Sequence, residues 1–589
     1  MSTISASAVQ AEPRRALDED TLCAAFQRTA AERPDEVALR GAGDPGGITW
    51  REYAERVRRL AEGLSSLGLR RGDTLALLLT NRPEFHLLDA AALHIGAVPF
   101  SIYVTSAPEQ IEFLLRDSGT RIAVTETALL GRLEQALGGE RSLDHLLLVD
   151  RLDELERRRA PGFDFEATWR AVGGDDLLTL IYTSGTTGPP KGVELTHRNL
   201  LAAWRGMHAA WGLPHPGGST ISYLPSAHVA DRFAGHYAAM LFGQAVITCP
   251  DPRQVGRLLP EVRPTQFVAV PRIWQKLKSG VEAAILADPD QRRRDAASWA
   301  LDVGRRAVAL EQRDAPLPGE LRTERERADR LVLAGIRARL GLDRCEIAVC
   351  AAAPVPSEVL EFFLAIGVPI LEVYGLSETS AVATANPPGR ARIGTVGLPI
   401  PGVELRLADD GEVLLRGESL MRGYRNRPDQ TVEAIDADGW LHTGDVGVLD
   451  PDGYLRIVDR KKELIINAAG KNMSPANIET ALRAASPLIG HACVIGDARP
   501  YNVALLTLDP EAARAFAAGH GEEALDSEVA AAVERANARL ARVEQIKRYR
   551  VLDHDWPPGG AELTPTMKLK RRGISERYAG EIEELYAAQ

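Results

Sequence analysis

Between Thr49 and Val124 the chain alternates short apolar runs with segments whose apolar residues recur every three or four positions, and this alternation limits the fold more than any other feature. Thr49-x-x-Glu52 reads as a capping box opening an amphipathic helix that runs to about Leu67 and stops at Gly68. Thr74 to Leu79 reads as a strand, Pro83 to about Gly96 as a helix, and Val98 to Tyr103 as a strand. Ser106-x-x-Glu109 reads as a second capping box for a helix toward Arg116, with a strand from Arg121 to Val124 after it. Strands separated by helices of this length pair in parallel, and a parallel sheet needs helices over its faces. The expected fold class is α/β.

A chain of 589 residues exceeds one ordinary core and implies several domains. Phe233 to Pro250 lacks Asp, Glu, Lys and Arg, but His236, Gln244, two glycines and a terminal proline fit a buried helix followed by a strand, not a membrane span. Residues 285 to 345, rich in Arg, Ala, Leu and Glu, read as two long helices around a break at Pro316 and Pro318, their charge runs on solvated faces. From about Gly402 the pairs Asp410-Gly411, Asp438-Gly439 and Asp452-Gly453 signal hairpins. The cluster Asp459-Arg460-Lys461-Lys462-Glu463 stands between two strand-like runs and marks the last domain boundary, leaving roughly 130 residues for a small domain. The expected organisation is a disordered lead-in over 1–20, a large domain over 21–458, and a small mobile α+β domain over 459–589. The large domain has parallel-rich sheets flanked by helices plus a β-rich subdomain.

A net charge of −11 argues against a general electrostatic hold on nucleic acid or anionic lipid. The five cysteines (Cys23, Cys249, Cys345, Cys350, Cys493) show no metal or redox spacing and read as reduced, mostly buried thiols of a cytoplasmic protein. The first twenty residues carry no apolar run of the signal-peptide kind.

Chemistry enters after the strand-like run Leu177 to Tyr182. In Thr183-Ser184-Gly185-Thr186-Thr187-Gly188-Pro189-Pro190-Lys191-Gly192 the glycines let the backbone curl so that N–H groups converge, and hydroxyls and a lysine then surround an anion. This is not a Walker A loop: Lys191 is preceded by proline and followed by glycine, which breaks GxxxxGK[ST]. Alone, the loop says phosphate binding and nothing finer.

The loop resembles the signature of the adenylate-forming (AMP-binding) superfamily of acyl-CoA synthetases, luciferases and peptide-synthetase adenylation domains, and further motifs follow in that family's order. The resemblance implies that Thr183, Ser184, Gly185, Thr186, Thr187, Gly188 and Lys191 hold ATP phosphates. Tyr223-Leu224-Pro225-Ser226-Ala227-His228 resembles the segment beside the acyl pocket, which puts His228 near the carboxylate and phosphate. Ala351-Ala352-Ala353-Pro354 resembles the adenine-contacting strand end, with Ala351 where the family usually has glycine. In Tyr374-Gly375-Leu376-Ser377-Glu378-Thr379, Tyr374 would stack on adenine. Glu378, helped by the Thr183 hydroxyl, would ligate Mg²⁺, a hard cation content with few protein oxygens. Gly375, Ser377 and Thr379 belong to the same nucleotide-binding stretch.

Gly439-Trp440-Leu441-His442-Thr443-Gly444-Asp445 implies a ribose contact at Asp445, since an ionised carboxylate accepts both hydrogen bonds of a diol. Arg460 matches the family arginine beside the hinge, and Asp459 the hinge itself. Gly470-Lys471-Asn472-Met473-Ser474-Pro475 resembles the loop that comes forward for thioester formation with CoA. Thr564-Pro565-Thr566-Met567-Lys568-Leu569-Lys570-Arg571 resembles the tail carrying the adenylation lysine. Alignment on Pro-Thr-x-Lys selects Lys568 over Lys570, with Met567 where many relatives have glycine.

The implied reaction has two halves: acid plus ATP gives acyl-AMP and pyrophosphate, then the CoA thiol gives acyl-CoA and AMP. Asn81-Arg82-Pro83-Glu84-Phe85, Ile102-Tyr103, Pro108-Glu109-Gln110 and Gly496-Asp497-x-Arg499-Pro500-Tyr501 resemble the long-chain fatty acid–CoA ligase branch. The implied ligands are a carboxylic acid, ATP, Mg²⁺ and CoA, with no nucleic acid, no transmembrane segment, and a peripheral membrane contact compatible with the sequence. The alternatives are transfer to an acyl carrier protein's pantetheine, a luciferase-like oxygenase, and a non-catalytic acyl or nucleotide binder. The GKNMSPANIE loop favours CoA, and Lys568, Glu378 and Asp445 together argue against a mere binder.

Overall fold

The computed structural model describes residues 15–138, 143–183, 189–467, 472–564 and 567–587. The alternation after Thr49 builds a four-stranded sheet in the order Val98–Ser101, Thr74–Leu78, Ile122–Thr125, His145–Leu148, parallel throughout. Helix Trp50–Ser66 opens on the Thr49/Glu52 capping box, and helix Pro83–Ile95 closes on Gly96. The second capping box is displaced: the helix covers Pro108–Ser118, and its first turn is closed by the Ala107 N–H donating to the Gln110 side chain (3.2 Å), not by Ser106 and Glu109. Proline at the first helical position needs no N–H partner, which moves the start one residue on.

A second sheet has nine strands, six of them parallel neighbours: Ile370–Tyr374, Ile347–Cys350, Gln266–Ala269, Ser219–Ser222, Ala245–Thr248 and Val37–Gly41. Parallel pairing sends every strand out at the same edge. The segments 223–228, 351–354 and 375–379 therefore leave the carboxyl edge together, where open α/β sheets bind ligands.

The charge-free stretch is a helix and a strand: a π turn Arg232–Tyr237, helix Ala238–Phe242, and strand Ala245–Thr248, with every residue from Arg232 to Phe242 buried. The region 285–345 gives helix Gln291–Glu311 and, past the proline break, helix Gly319–Ala328 continued through a π turn into Ala334–Leu340. Strands Val403–Leu407, Glu412–Gly417, Leu441–Leu449 and Leu455–Arg460 form an antiparallel sheet with Gly411 and Gly453 in left-handed turns. Asp459 and Arg460 end the last of these strands rather than lying between strands, with Asp445 opposite Arg460.

The smaller C-terminal part is α+β, around strands Ile489–Ile495, Asn502–Leu508 and Ile546–Val551. Alternate residues face opposite ways. Val494, Ala504 and Leu506 pack on helices Pro475–Ala485 and Ala524–Asn537, while Cys493, Val503 and Leu505 pack on Trp556, Ile574 and Leu585. Across to the larger part, Arg272 pairs with Asp509, Lys276 with Glu511 (3.1 Å) and Arg539 with Glu358 (3.1 Å).

The lead-in ends earlier than residue 20. Ala16–Asp18 forms a 3-10 turn with Ala16 and Leu17 buried, because Arg205 donates to the carbonyls of Leu17 (3.1 Å) and Glu19 (2.8 Å). All five cysteines are free and buried. Among the described residues no helix is long and apolar enough to cross a membrane.

Candidate active site

The strand Ile370–Tyr374 delivers Tyr374 to the carboxyl edge, and Gly375 makes the exit possible: a Cβ there would lie 2.1 Å from the Ala381 carbonyl oxygen. The next turn, Ser377–Thr379, is closed by Thr379, whose buried hydroxyl accepts from Leu376 N–H (2.9 Å) and donates to Leu376 O (3.1 Å). The Thr379 hydroxyl thus serves the turn, and the turn aims Glu378. Tyr424 Oη donates to Glu378 Oε1 (2.8 Å), and Lys191 Nζ lies 4.7 Å above the Tyr424 ring. Tyr424 reaches this place because Gly423–Tyr424 pairs with strand Lys191–Thr196, itself the hairpin partner of Leu177–Thr183.

Thr183 and Lys191 stand opposite each other at the mouth of that hairpin, with Thr183 Oγ1 donating to Lys191 O (3.5 Å). The Lys191 end of the hairpin is thereby coupled to Glu378 through the Tyr424 ring and its hydroxyl. Ser184, Gly185, Thr186, Thr187 and Gly188 lie outside the described residues, as do Gly470 and Lys471; of Asn472 only the backbone is described.

Asp445 is buried between Tyr374 and Arg460. Its Oδ1 accepts from Arg460 Nε (2.7 Å), its Oδ2 from Tyr374 Oη (2.6 Å), and its own N–H donates to Thr443 Oγ1 (3.1 Å). Burial raises its pKa above the ordinary carboxylate value, and the Arg460 charge is the largest opposing cause. Each oxygen keeps lone pairs for a further donor, as a ribose diol requires. Ala353 is exposed in the turn after strand Ile347–Cys350, where the neighbouring Ala352 is left-handed at φ 74°.

The C-terminal tail completes the cleft. Thr564 holds the turn: its N–H donates to Lys568 O (2.8 Å), its O accepts from Met567 N–H (2.9 Å), and its Oγ1 accepts from Lys568 N–H (3.0 Å). Met567 sits at φ 65°, the left-handed region that favours glycine. Lys570 Nζ turns back to Gly560 O (2.8 Å), whereas Lys568 interacts electrostatically with Arg460, Asp445, Glu378 and Glu463.

Lys568 is reachable by water and yet has protein on most sides, as a side chain in an open cleft does. Those surroundings lower its pKa first and Arg460 adds to that, while the three carboxylates pull it back up. His228 lies in the same field. Its burial first, and the Lys568 charge second, push its pKa down to about 4, so the ring is neutral at pH 7. Its Nδ1 accepts from Ala230 N–H (3.1 Å), which leaves the ring proton on Nε2.

Asp459 Oδ2 accepts from Ser474 Oγ (2.5 Å) and from Ala476 N–H (3.2 Å). It therefore grips the start of helix Pro475–Ala485 from the last strand of the β-rich sheet. The structure links Thr183 and Lys191 to Glu378 through Tyr424, joins Tyr374 and Arg460 on Asp445, and sets Lys568 in the field of Arg460, Asp445 and Glu378. Sequence reasoning missed Tyr424, which has neither motif nor spacing; only its place between two strands brings it to Glu378.

A hairpin lysine, a carboxylate held by tyrosine and arginine, and a lysine from the C-terminal tail are thus drawn together, and the comparison with known proteins assigns the chain to the AMP-binding enzymes. The chain belongs to that family: residues 26–425 match the AMP-binding enzyme family and residues 462–589 the AMP-binding enzyme C-terminal domain. It is 50% identical, over 76% of its length and 83% of the other's, to the putative fatty-acid–CoA ligase fadD11 of Mycobacterium tuberculosis. It is 38% identical, over 92% of each chain, to the long-chain-fatty-acid–CoA ligase FadD15 of the same organism. The fold matches the o-succinylbenzoate CoA synthetase MenE of Bacillus subtilis, solved in complex with the acyl-adenylate intermediate OSB-AMP. Its TM-score is 0.70 at 22% identity, covering 94% of this chain and 98% of that one.

Proposed function

We propose that this chain is an ATP-dependent carboxylic acid–CoA ligase of the long-chain fatty acid type, working through an acyl-adenylate. The carrying observation is Lys568, brought by the C-terminal tail into the electrostatic field of Asp445, Glu378 and His228 on the larger part. A binder has no need of a second body's lysine there. The length and identity of the match to relatives named fatty-acid–CoA ligases support the same acid and the same acceptor.

Attack of a carboxylate on the α-phosphorus brings two negative groups together, so the site must align them and offset charge. Asp445, braced by Arg460 and Tyr374, would hold the ribose and so fix the α-phosphate. Tyr374 would offer its ring to adenine beside Ala353, with Gly375 and Ser377 lining the exit. Lys191 and Thr183 would meet the leaving phosphates with Ser184, Gly185, Thr186, Thr187 and Gly188. Lys568 would offset the charge that develops between acid and α-phosphate. Neutral His228 can donate from Nε2 to an oxygen of the acid or the phosphate, and at pH 7 it is no source of protons.

Glu378 fits a magnesium ion: one carboxylate oxygen is tied to Tyr424 and the other would meet a hard cation, to which the Thr183 hydroxyl would add a ligand. When bound, Mg²⁺ supplies charge neutralisation on the ATP oxygens. The acyl-AMP so formed has a good leaving group, and thiol attack then needs mainly position. We assign that second step to a rotation of residues 459–589 about Asp459, which would bring Gly470, Lys471 and Asn472 forward. Free, buried thiols fit a reducing, cytoplasmic setting.

The test is a panel of acids with ATP, with and without CoA, following pyrophosphate and AMP separately. Long-chain acids are expected to give acyl-CoA and AMP in equal amounts once CoA is present. Pyrophosphate release with no acyl-CoA would favour a carrier-protein acceptor, and no pyrophosphate with any acid would sink the reading.

A further inference from the structure

The His228 turn is held from behind by a buried ion pair that no motif marks. Arg232, one helical turn past His228, and Asp89 of helix Pro83–Ile95 have side-chain exposures of 1% and 0%. Asp89 takes one N–H of the guanidinium, and three others go to Tyr237 Oη (2.8 Å), Ser101 Oγ (3.1 Å) and the Ser226 carbonyl (3.1 Å). Ser226 is two residues before His228, and its hydroxyl donates back to Ser101 Oγ (3.2 Å). His236 Nε2 lies 3.0 Å from the second Asp89 oxygen, fixing the carboxylate from the other side.

The same segment is tied once more from the loop before that helix, where Asn81 Nδ2 donates to Leu224 O (2.8 Å) and Ser222 Oγ (3.0 Å). A buried ion pair adds little stability over an apolar pair of equal volume. What apolar side chains cannot supply is a directed bond to the Ser226 carbonyl. His228 N–H donates to Pro225 O (2.8 Å), closing a turn that contains Ser226, so a shift of the Ser226 carbonyl distorts that turn and moves the imidazole with it.

We propose that Arg232, held by Asp89, is the positioning residue for His228: it touches no substrate and sets where the imidazole stands in the cleft. The inference rests on the acid–CoA ligase reading for its kinetic consequence, though not for its geometry. Arg232→Lys keeps the charge beside Asp89 but loses the planar fork that reaches Ser226 and Ser101 together. It is expected to slow acyl-AMP formation on the order of 10- to 100-fold, the scale of a misplaced group, and to add no further loss to His228→Ala.

Histidine-labelled protein read by imidazole ¹⁵N resonance, with His228→Ala assigning the signal, needs no substrate. Arg232→Lys is expected to shift the His228 signal, and Asp89→Asn to shift it in the same sense. An unmoved His228 signal, or an equal fold-loss in the His228→Ala background, would overturn the proposal. If Arg232→Lys does not fold, the uncharged pair Arg232→Met with Asp89→Leu is put through the same two readings. A wild-type chain that releases no pyrophosphate would sink the ligase reading alone, because the resonance experiment still decides the role of Arg232.

Discussion

Lys568 and Lys570 are two residues apart, yet one reaches the cleft and the other caps a carbonyl of its own domain at Gly560. Lys568→Ala is expected to lower acyl-AMP formation by about 10²- to 10³-fold, the usual cost of removing a group that meets developing charge. Thioester formation from supplied acyl-AMP should be largely spared. Lys570→Ala should change neither step by more than about 5-fold, since one partly exposed hydrogen bond is worth ~1 kcal/mol. Separate assays of the half-reactions decide this, and equal loss in both for Lys568→Ala would count against its role. Motif order alone led to Glu378, Asp445 and Lys568. It could not reveal Asp89 and Arg232, which are 143 residues apart and look like any charged pair on two helices. Their meaning comes from burial, which has no local signature.

At the scale of elements, two turns control the site. Gly375 lets strand Ile370–Tyr374 leave the sheet past Ala381 and Val382, where a Cβ would meet backbone at 2.1 and 2.7 Å. Backbone cannot rotate aside as a side chain can, so Gly375→Ala is expected to cost about 1–3 kcal/mol of stability. It should also weaken ATP binding, as calorimetry on the variant would register; an unchanged melting point and affinity would show that the exit has slack. Asp459 ties the last β-rich strand to helix Pro475–Ala485 through Ser474 and Ala476. Asp459→Pro is expected to slow the thioester step more than adenylation, by stiffening the proposed pivot. Asp459→Ala, which loses only the cap, is the control. Equal slowing of both steps by the proline variant would argue against a pivot there.

Element boundaries were legible wherever period and cap agreed, as at Thr49 and Glu52. They slipped by a residue at Pro108, where a backbone preference overrode a side-chain pattern.

The whole molecule buries several imidazoles. His94, His197, His228 and His491 are each pushed down to about 4, chiefly by burial, and His86 and His236 are lowered as well. Below the ordinary histidine value near 6.5 the unfolded chain takes up these protons and the folded one does not, so stability falls as pH drops from about 6.5 toward 4. Asp231 and Glu372, pushed up to about 7 by burial, and Asp445, also raised by burial, act in the opposite sense, but they are three groups against six. The urea midpoint is therefore expected to be clearly lower at pH 5 than at pH 7.5, and a flat or rising midpoint would contradict it. The parallel sheets and the small α+β part follow from periodicity that any reader of the sequence can count. The docking of the two parts does not, because it depends on Arg272, Lys276 and Arg539 meeting Asp509, Glu511 and Glu358 across hundreds of residues.

That docking brings Lys568 to the larger part, and the chemistry proposed there runs through an acyl-adenylate whose conversion by CoA separates a CoA ligase from a carrier-protein ligase. The decisive measurement is a single turnover with a long-chain fatty acid and ATP in the absence of CoA, quenched and analysed by mass spectrometry, then repeated with a CoA chase. One equivalent of acyl-AMP bound per chain, converted to acyl-CoA and AMP on the chase, is the expected result. Formation of ADP, or release of AMP with no bound acyl-AMP at any time, would contradict it.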